Sequence, residues 1–188
     1  MRTLIALATL AFAAGASAAP LDYQFDKVHS QVHASVLHMG FSNSTARFNV
    51  KDGTISFDAA DVASAKVDVT LNVAGISLGD ATWQEHVSAD KWFNVAAFPE
   101  ARFVSTKVEK TGDKTMTVSG DLTLKGVTLP VTLQATLNQA GPHPFTKKPA
   151  LGISATGSIK RSAFGISEYL GGISDEVQIR IELEASAS

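Results

Sequence analysis

The chain has 188 residues, of which 45% are apolar and 18% charged, with 14 glycines, 6 prolines and no cysteine. This composition suits one folded domain and excludes a disordered or collagen-like chain, and the missing cysteines exclude a disulfide framework, a thiolate zinc site and a cysteine nucleophile. With 16 Lys and Arg scattered among 18 Asp and Glu, the dense cationic face of a nucleic-acid-binding protein is missing, so no nucleic-acid partner is expected.

The first 18 residues have the pattern of a secretory signal peptide. Arg2 precedes an apolar run over residues 4–14, and residues 16–18 (ASA) supply the small-residue cleavage pattern. We expect cleavage after Ala18, with residues 19–188 forming one mature domain in the periplasm. The apolar run is too short, as a helix, to cross a hydrocarbon core of roughly 30 Å, so no helical membrane span is predicted.

Beyond the signal the dominant period is two, which predicts β-strands whose successive side chains face opposite sides of a sheet. The alternation is clearest in residues 66–73, 127–137 and 177–183. Weaker alternation predicts five more strands, over residues 32–36, 48–57, 101–105, 116–124 and 151–159. Glycine-containing turn signals between them favour sequential antiparallel pairing, and Pro130 predicts a sheet edge, a bulge or a strand start nearby.

Residues 81–97 interrupt this alternation and predict one or two short helices, with Asp80 as the N-cap. Trp83 and Val87 are four residues apart, and Trp92 and Phe93 follow them. We therefore expect this segment to lay aromatic side chains over an opening in the sheet.

Eight amphipathic strands suit either a two-layer sandwich or a closed barrel, whose interior is filled by side chains or holds one small ligand. Periodicity alone does not choose between these architectures. An outer-membrane barrel is disfavoured, because charged residues occupy the solvated faces and paired aromatic girdles are missing from the sequence.

Short motifs at matching spacing run through nearly all of the mature chain. They are Asp26-Lys27, His29-Ser30, His38-Met39-Gly40, Arg47-Phe48, residues 52–58 (DGTISFD), His86-Val87, Trp92-Phe93-Asn94, Phe98-Pro99, Ala101-Arg102-Phe103 and residues 120–131 (GDLTLKGVTLPV). The last run is the most specific. Together these motifs resemble the YceI-like family of bacterial proteins. The resemblance implies an all-β, eight-stranded antiparallel lipocalin-like barrel with a short helical insertion around residues 81–97.

The same resemblance implies an exported lipid-binding protein without a cofactor. Its ligand would be a long isoprenoid, such as a quinone or polyprenyl precursor, or an acyl chain, held in an apolar lumen for transport, storage or stress-related sequestration. The expected ligand-binding residues are Val36, His38, Phe57, Val69, Leu71, Phe103, Leu122, Val131, Leu133, Ile153 and Ile181 as lining, with Trp83, Trp92 and Phe93 as a lid. Transient membrane contact, for which Lys147 and Lys148 are candidates, and homodimer formation stay open.

Two other functions stay open beside lipid binding. One is a packed-core β-domain that acts as a protein-interaction module, using a sheet edge near Pro130. The other is a weak hydrolase, although no G-x-S-x-G elbow occurs and no catalytic residue is predicted, so an enzyme is not expected. A metal site is also not expected, because His29 and His33 share a strand face that His38 does not, and no H-E-x-x-H spacing exists.

Overall fold

The computed structural model describes residues 19–188, so the predicted signal peptide lies outside the described residues. This part of the chain forms nine strands, one α-helix and two short 3-10 helices. The strands are β1 (Leu21–Phe25), β2 (Gln31–His38), β3 (Ser42–Phe57), β4 (Lys66–Ser77), β5 (Glu100–Lys110), β6 (Thr115–Leu124), β7 (Val127–Pro142), β8 (Pro149–Lys160) and β9 (Glu176–Ala187). The helix is α1 (Ala81–Ser88), and the 3-10 helices are Val62–Ser64 and Arg161–Phe164. None of these helices has the length and apolarity that crossing a membrane requires.

Strands β2 to β9 form a closed antiparallel barrel. Each pairs with the next strand in the chain, and β9 pairs back to β2, with Val32 opposite Ile181. Strand β1 continues the position of β2, because it too lies between β3 and β9, with Tyr23 opposite Ile55 on one side and Ala187 on the other. The barrel therefore has eight strand positions around its circumference, as in an up-and-down barrel.

A tight turn lets β1 and β2 share one position. The Oδ1 atom of Asp26 accepts hydrogen bonds from the backbone N–H groups of Val28 at 2.8 Å and His29 at 3.1 Å. Ser30 is fully buried, and its hydroxyl donates to the backbone oxygen of Glu184 on β9 at 3.0 Å. These bonds satisfy the polar groups of the turn and fix the offset between the two strands.

The structure confirms the predicted strands, which correspond to β2 through β9, and it confirms sequential antiparallel pairing. Strand β3 begins at Ser42, ahead of the predicted start at residue 48. Residues 42–45 (SNST) are polar on both faces, so no apolar alternation marks them as part of a strand. Strand β1 was not predicted, since five residues carry too little alternation to stand out. Pro130 lies near the start of β7, before the first residue of β7 that pairs with β8, Gln134. Of the three predicted settings, this is the strand start.

The helical insertion is shorter than residues 81–97. Helix α1 ends at Ser88, and residues 90–97 continue mainly as turns. Asp80 is the N-cap, as predicted, and its carboxylate accepts from the backbone N–H of Trp83 at 2.9 Å.

The two ends of the barrel differ. The β2–β3 turn, the connection that contains α1 and residues 161–175 lie at one end, here called the upper end. Residues 58–65, the β5–β6 turn and the loop 143–148 lie at the lower end. There Val62 and Ala65 pack against two buried clusters, one containing Phe57 and the other Val108, and so close the barrel.

Candidate functional site

The inward side chains of the barrel enclose one cavity of about 920 Å³. This volume lies near the upper end of the range of small-molecule sites. Inward aliphatic side chains such as Leu133, Ile153 and Ile181 are only half-buried, although strands surround them on every side, because they face this space. A packed core would bury them completely, so the barrel is hollow and the packed-core alternative is wrong.

The cavity lining is apolar apart from a group of side chains near the upper end. The polar lining residues are His38, Ser42, Ser44, His86, Arg161 and Tyr169. The lower half is lined by side chains such as Val108, Met116 and Leu137. A charged group placed there would lose its hydration without a partner, so the lower half suits a hydrocarbon chain.

The exposure of the lining residues shows where the cavity opens. At the upper end, Met39 and Tyr169 line the cavity and are also 55% and 56% exposed to solvent. At the lower end, Ile55 and Val108 line it and are 2% and 5% exposed. The cavity is therefore a tube with its mouth at the upper end.

All of the predicted lining and lid residues line this cavity. They are Val36, His38, Phe57, Val69, Leu71, Trp83, Trp92, Phe93, Phe103, Leu122, Val131, Leu133, Ile153 and Ile181. His38 lies on the same inward face of β2 as Val32 and Val36. That these side chains contact a ligand stays a prediction.

The aromatic residues predicted as a lid lie on one side of the mouth. Trp83 projects from α1, while Trp92 and Phe93 lie on the turns that follow it. The Phe93 ring packs edge-on against Phe48 of β3, with 5.7 Å between centroids, and the Trp92 ring lies 6.2 Å from that of Tyr169. These contacts connect the helical insertion to the barrel wall and to the loop across the mouth.

Arg161, which no sequence motif singles out, is buried at the upper end and holds the loop that follows it. It is 4% exposed, and its guanidinium group lies 5.7 Å from the centroid of the Trp92 ring. It donates hydrogen bonds of 2.8–2.9 Å to the backbone oxygens of Ile166, Glu168, Ile173 and Ser174. Burial lowers the pKa of Arg161, but an arginine stays protonated in proteins. Its one sequence signal is parity, because residue 161 continues the inward series that ends at Ile159.

A carboxylate makes a second tie in this loop. Asp175 accepts from the backbone N–H of Ser162 at 2.9 Å and from its hydroxyl at 2.8 Å. These two hydrogen bonds lower the pKa of Asp175, because they favour the ionised form. The segment from residue 161 to residue 175 is therefore tied at both ends.

The histidines weighed as zinc ligands do not converge. His38 lines the cavity, His33 lies on the outward face of β2, and His29 lies in the β1–β2 turn beside Asp26, close to Glu184 of β9. The His29 Nδ1 lies 2.8 Å from an Asp26 carboxylate oxygen, and this hydrogen bond raises the pKa of His29 and lowers that of Asp26. Because Asp26 also caps the backbone of the turn, the cluster is accounted for as part of that turn.

Two inward glycines leave room for large lining side chains. A Cβ atom built on Gly120 of β6 would lie 2.4 Å from the Phe103 ring and 2.5 Å from the backbone oxygen of Val104. A Cβ atom on Gly157 of β8 would lie 2.8 Å from Leu133 Cδ2. Phe103 and Leu133 therefore lie flat against the wall, which keeps the middle of the tube open.

We expect Gly120→Ala to lower the free energy of unfolding by about 1–3 kcal/mol, because the added methyl group forces Phe103 or the β5 backbone to shift. Urea unfolding followed by circular dichroism measures this change. Gly152→Ala on β8 is the matched control, since its Cβ atom would approach other atoms no closer than 3.8 Å. Equal effects of the two substitutions would contradict the tight fit at Gly120.

A closed antiparallel barrel around an apolar tube with one mouth defines a lipocalin-like binding barrel. A family model described as the YceI-like domain matches residues 23–185. The chain belongs to the YceI-like family. It is 40% identical over 182 residues to Protein YceI of Escherichia coli O157:H7, a match that covers 96% of this chain and 94% of the relative.

Solved structures share the fold. BcnA of Burkholderia cenocepacia superposes with a TM-score of 0.76 at 29% identity, over 86% of this chain and 99% of that protein. A polyisoprenoid binding domain from Saccharophagus degradans, implicated in plant cell wall breakdown, superposes with a TM-score of 0.68 at 18% identity, over 89% of this chain and 99% of that domain. The second likeness bears on the fold alone.

Proposed function

We propose that the protein is exported and holds one long isoprenoid or acyl chain in its barrel, for transport, storage or stress-related sequestration. The observation that carries this proposal is the apolar tube of about 920 Å³, closed below and open above. The Saccharophagus degradans domain, which shares the fold, is described as a polyisoprenoid binding domain, so an isoprenoid is the first ligand class to test. The signal-peptide pattern of residues 1–18 supports export to the periplasm.

The tail of such a ligand supplies its affinity. Each methylene group that leaves water contributes roughly 0.8 kcal/mol, so a chain of about twenty carbons gains on the order of 12–16 kcal/mol before costs. Association costs about 4–15 kcal/mol, so the gain from a long tail exceeds the cost over most of this range without a charged anchor. The polar lining near His38 and Tyr169 leaves the polar end of the ligand at the mouth.

Binding without catalysis also fits the polar groups of the tube. Ser42 and His38 are neighbours on paired strands, but no hydrogen bond joins a serine hydroxyl to a histidine ring within residues 19–188. Such a contact with a base is what activates a serine nucleophile. The apolar tube is the feature on which we propose a carrier or scavenger in preference to the weak hydrolase.

Organic extraction of the protein purified from a periplasmic fraction, followed by mass spectrometry, tests this function. We expect a long prenyl or acyl lipid in stoichiometric amount. We also expect the intact mass of the protein to be that of a chain starting at Ala19. The proposal is wrong if the extract holds no such lipid and the protein also takes up none from added prenyl quinone or long-chain fatty acid.

A further inference from the structure

Five large apolar side chains are exposed together around the mouth of the tube. We call them the apolar lip; they are Leu37 at 47% exposure, Met39 at 55%, Phe41 at 90%, Tyr169 at 56% and Leu170 at 47%. Single exposed apolar residues are ordinary on soluble proteins, but a contiguous group beside a binding cavity marks an interaction surface.

The lip is a preformed surface. Its two segments are the end of β2 with the β2–β3 turn, and the loop 166–174. Backbone hydrogen bonds join them, from the Met39 N–H to the Gly172 oxygen at 2.6 Å and from the Ser174 N–H to the Leu37 oxygen at 3.0 Å. Met39 and Tyr169 have φ angles of 50° and 53°, a left-handed conformation that large side chains rarely adopt. The hydrogen bonds thus hold the backbone in a strained conformation that points apolar side chains outward. Backbone strain of this kind clusters at functional sites.

The charges around the lip fit a lipid surface. Residues 37–46 contain no Asp, Glu, Lys or Arg. Glu168 is the one formally charged residue in residues 166–174; it is half-buried, and its carboxylate lies 4.0 Å from the Lys91 ammonium group. The two segments of the lip thus present aliphatic and aromatic side chains with one tyrosine hydroxyl, which match the interfacial region of a bilayer, while the exposed charges of this end, such as Glu85 and Lys91, lie on the connection that contains α1.

We propose that the apolar lip docks the mouth of the barrel on a lipid bilayer, so that a lipid tail passes between membrane and tube without crossing water. This inference rests on the proposed lipid-binding function and adds the surface and the partner through which the ligand enters. Because the lip carries no net charge, docking does not depend on anionic lipids, and salt screens it little.

Flotation with phosphatidylcholine vesicles tests the docking directly. We expect the wild-type protein to float with the vesicles at low and at high salt, and the double variant Phe41→Ser, Leu170→Ser to bind them about tenfold or more weakly, because two apolar side chains no longer leave water. Phe145→Ser is the matched control, since Phe145 is 88% exposed at the lower end of the barrel. Thermal unfolding of the vesicle-free proteins confirms that each variant is folded.

Uptake of the fluorescent fatty acid cis-parinaric acid separates docking from binding. From ethanol-diluted solution, the lip variant is expected to bind the probe as tightly as the wild type, whereas from preloaded phosphatidylcholine vesicles it acquires the probe more slowly. Wild-type protein that floats but takes up no probe from solution contradicts the lipid-binding function and leaves the docking surface standing.

Four results would overturn the docking proposal. The first is wild-type protein that does not bind the vesicles, and the second is equal flotation of the wild type and the lip variant. The third is loss of flotation in the Phe145 variant alone. The fourth is a difference in oligomeric mass between wild type and lip variant, measured by sedimentation without vesicles. The third result would move docking to the lower end, where Lys147 and Lys148 lie. The fourth would make the lip an interface between two copies of the chain.

Discussion

Replacing Arg161 with methionine is expected to lower the free energy of unfolding by about 3–5 kcal/mol and Tm by about 10 °C. Methionine fills a similar volume but donates no hydrogen bond, so four backbone oxygens lose their partner, and that of Ile166 is buried with it. Each buried acceptor left unpaired costs about 1–3 kcal/mol. The total for the four oxygens is smaller than four times this cost, because the loop loosens and water reaches some of them. Urea and thermal unfolding measure the loss.

The site of the damage is also specific. We expect faster amide hydrogen exchange in residues 166–174 of the variant, while β6 and β7 keep wild-type protection, because the lost bonds all end in that loop. Arg180→Met is the matched control, since Arg180 is on the surface, with a side chain that is 72% exposed and pairs with Glu182. A surface change of this kind alters stability by about 0.5 kcal/mol or less. Similar effects at both arginines would show that the loop does not depend on Arg161.

The strands could be predicted because each has one face toward the tube and one toward solvent. In β4, Val67, Val69 and Leu71 face inward. Lys66 and Asp68 face outward, so apolar and polar residues alternate visibly along the sequence. Closure into a barrel could not be predicted from period, because it depends on β9 returning to β2, a pairing between distant segments that leaves no mark on either strand. The family resemblance supplied that step.

The lining residues were predicted from the apolar strand faces together with the family resemblance, and the aromatic residues beside the mouth from the helical insertion, but the exposed apolar residues around the mouth were not predicted. Phe41 and Tyr169 lie in turns, where no period tells whether an apolar side chain is buried or exposed. Arg161 was missed because a cation at an inward position is uncommon, and its partners are backbone oxygens, which every residue has. Sequence pattern thus gives the direction of side chains along strands, whereas contacts made by loops require coordinates.

Replacing Leu133 with tryptophan is expected to weaken binding of a long prenyl or acyl probe by about 100-fold. Leu133 lines the middle of the tube and lies flat over Gly157, so a larger ring at this position projects into the space of the tail. Exclusion of about four methylene groups from the tube removes about 3 kcal/mol, which corresponds to that change in Kd. Titration with cis-parinaric acid, delivered from solution, measures the affinity.

Thr132→Trp supplies the matched control, because Thr132 is the neighbouring residue on β7 and its side chain is exposed on the outer face. We expect this variant to bind the probe like wild type, and both variants to unfold cooperatively, since the ring at residue 133 enters open space instead of a packed core. Ile153→Trp repeats the test from the neighbouring strand β8 if the first variant does not fold. Wild-type affinity in two folded, lumen-filled variants would mean that the lipid tail binds outside the tube, and the mouth, the lid and the apolar lip would then need another explanation.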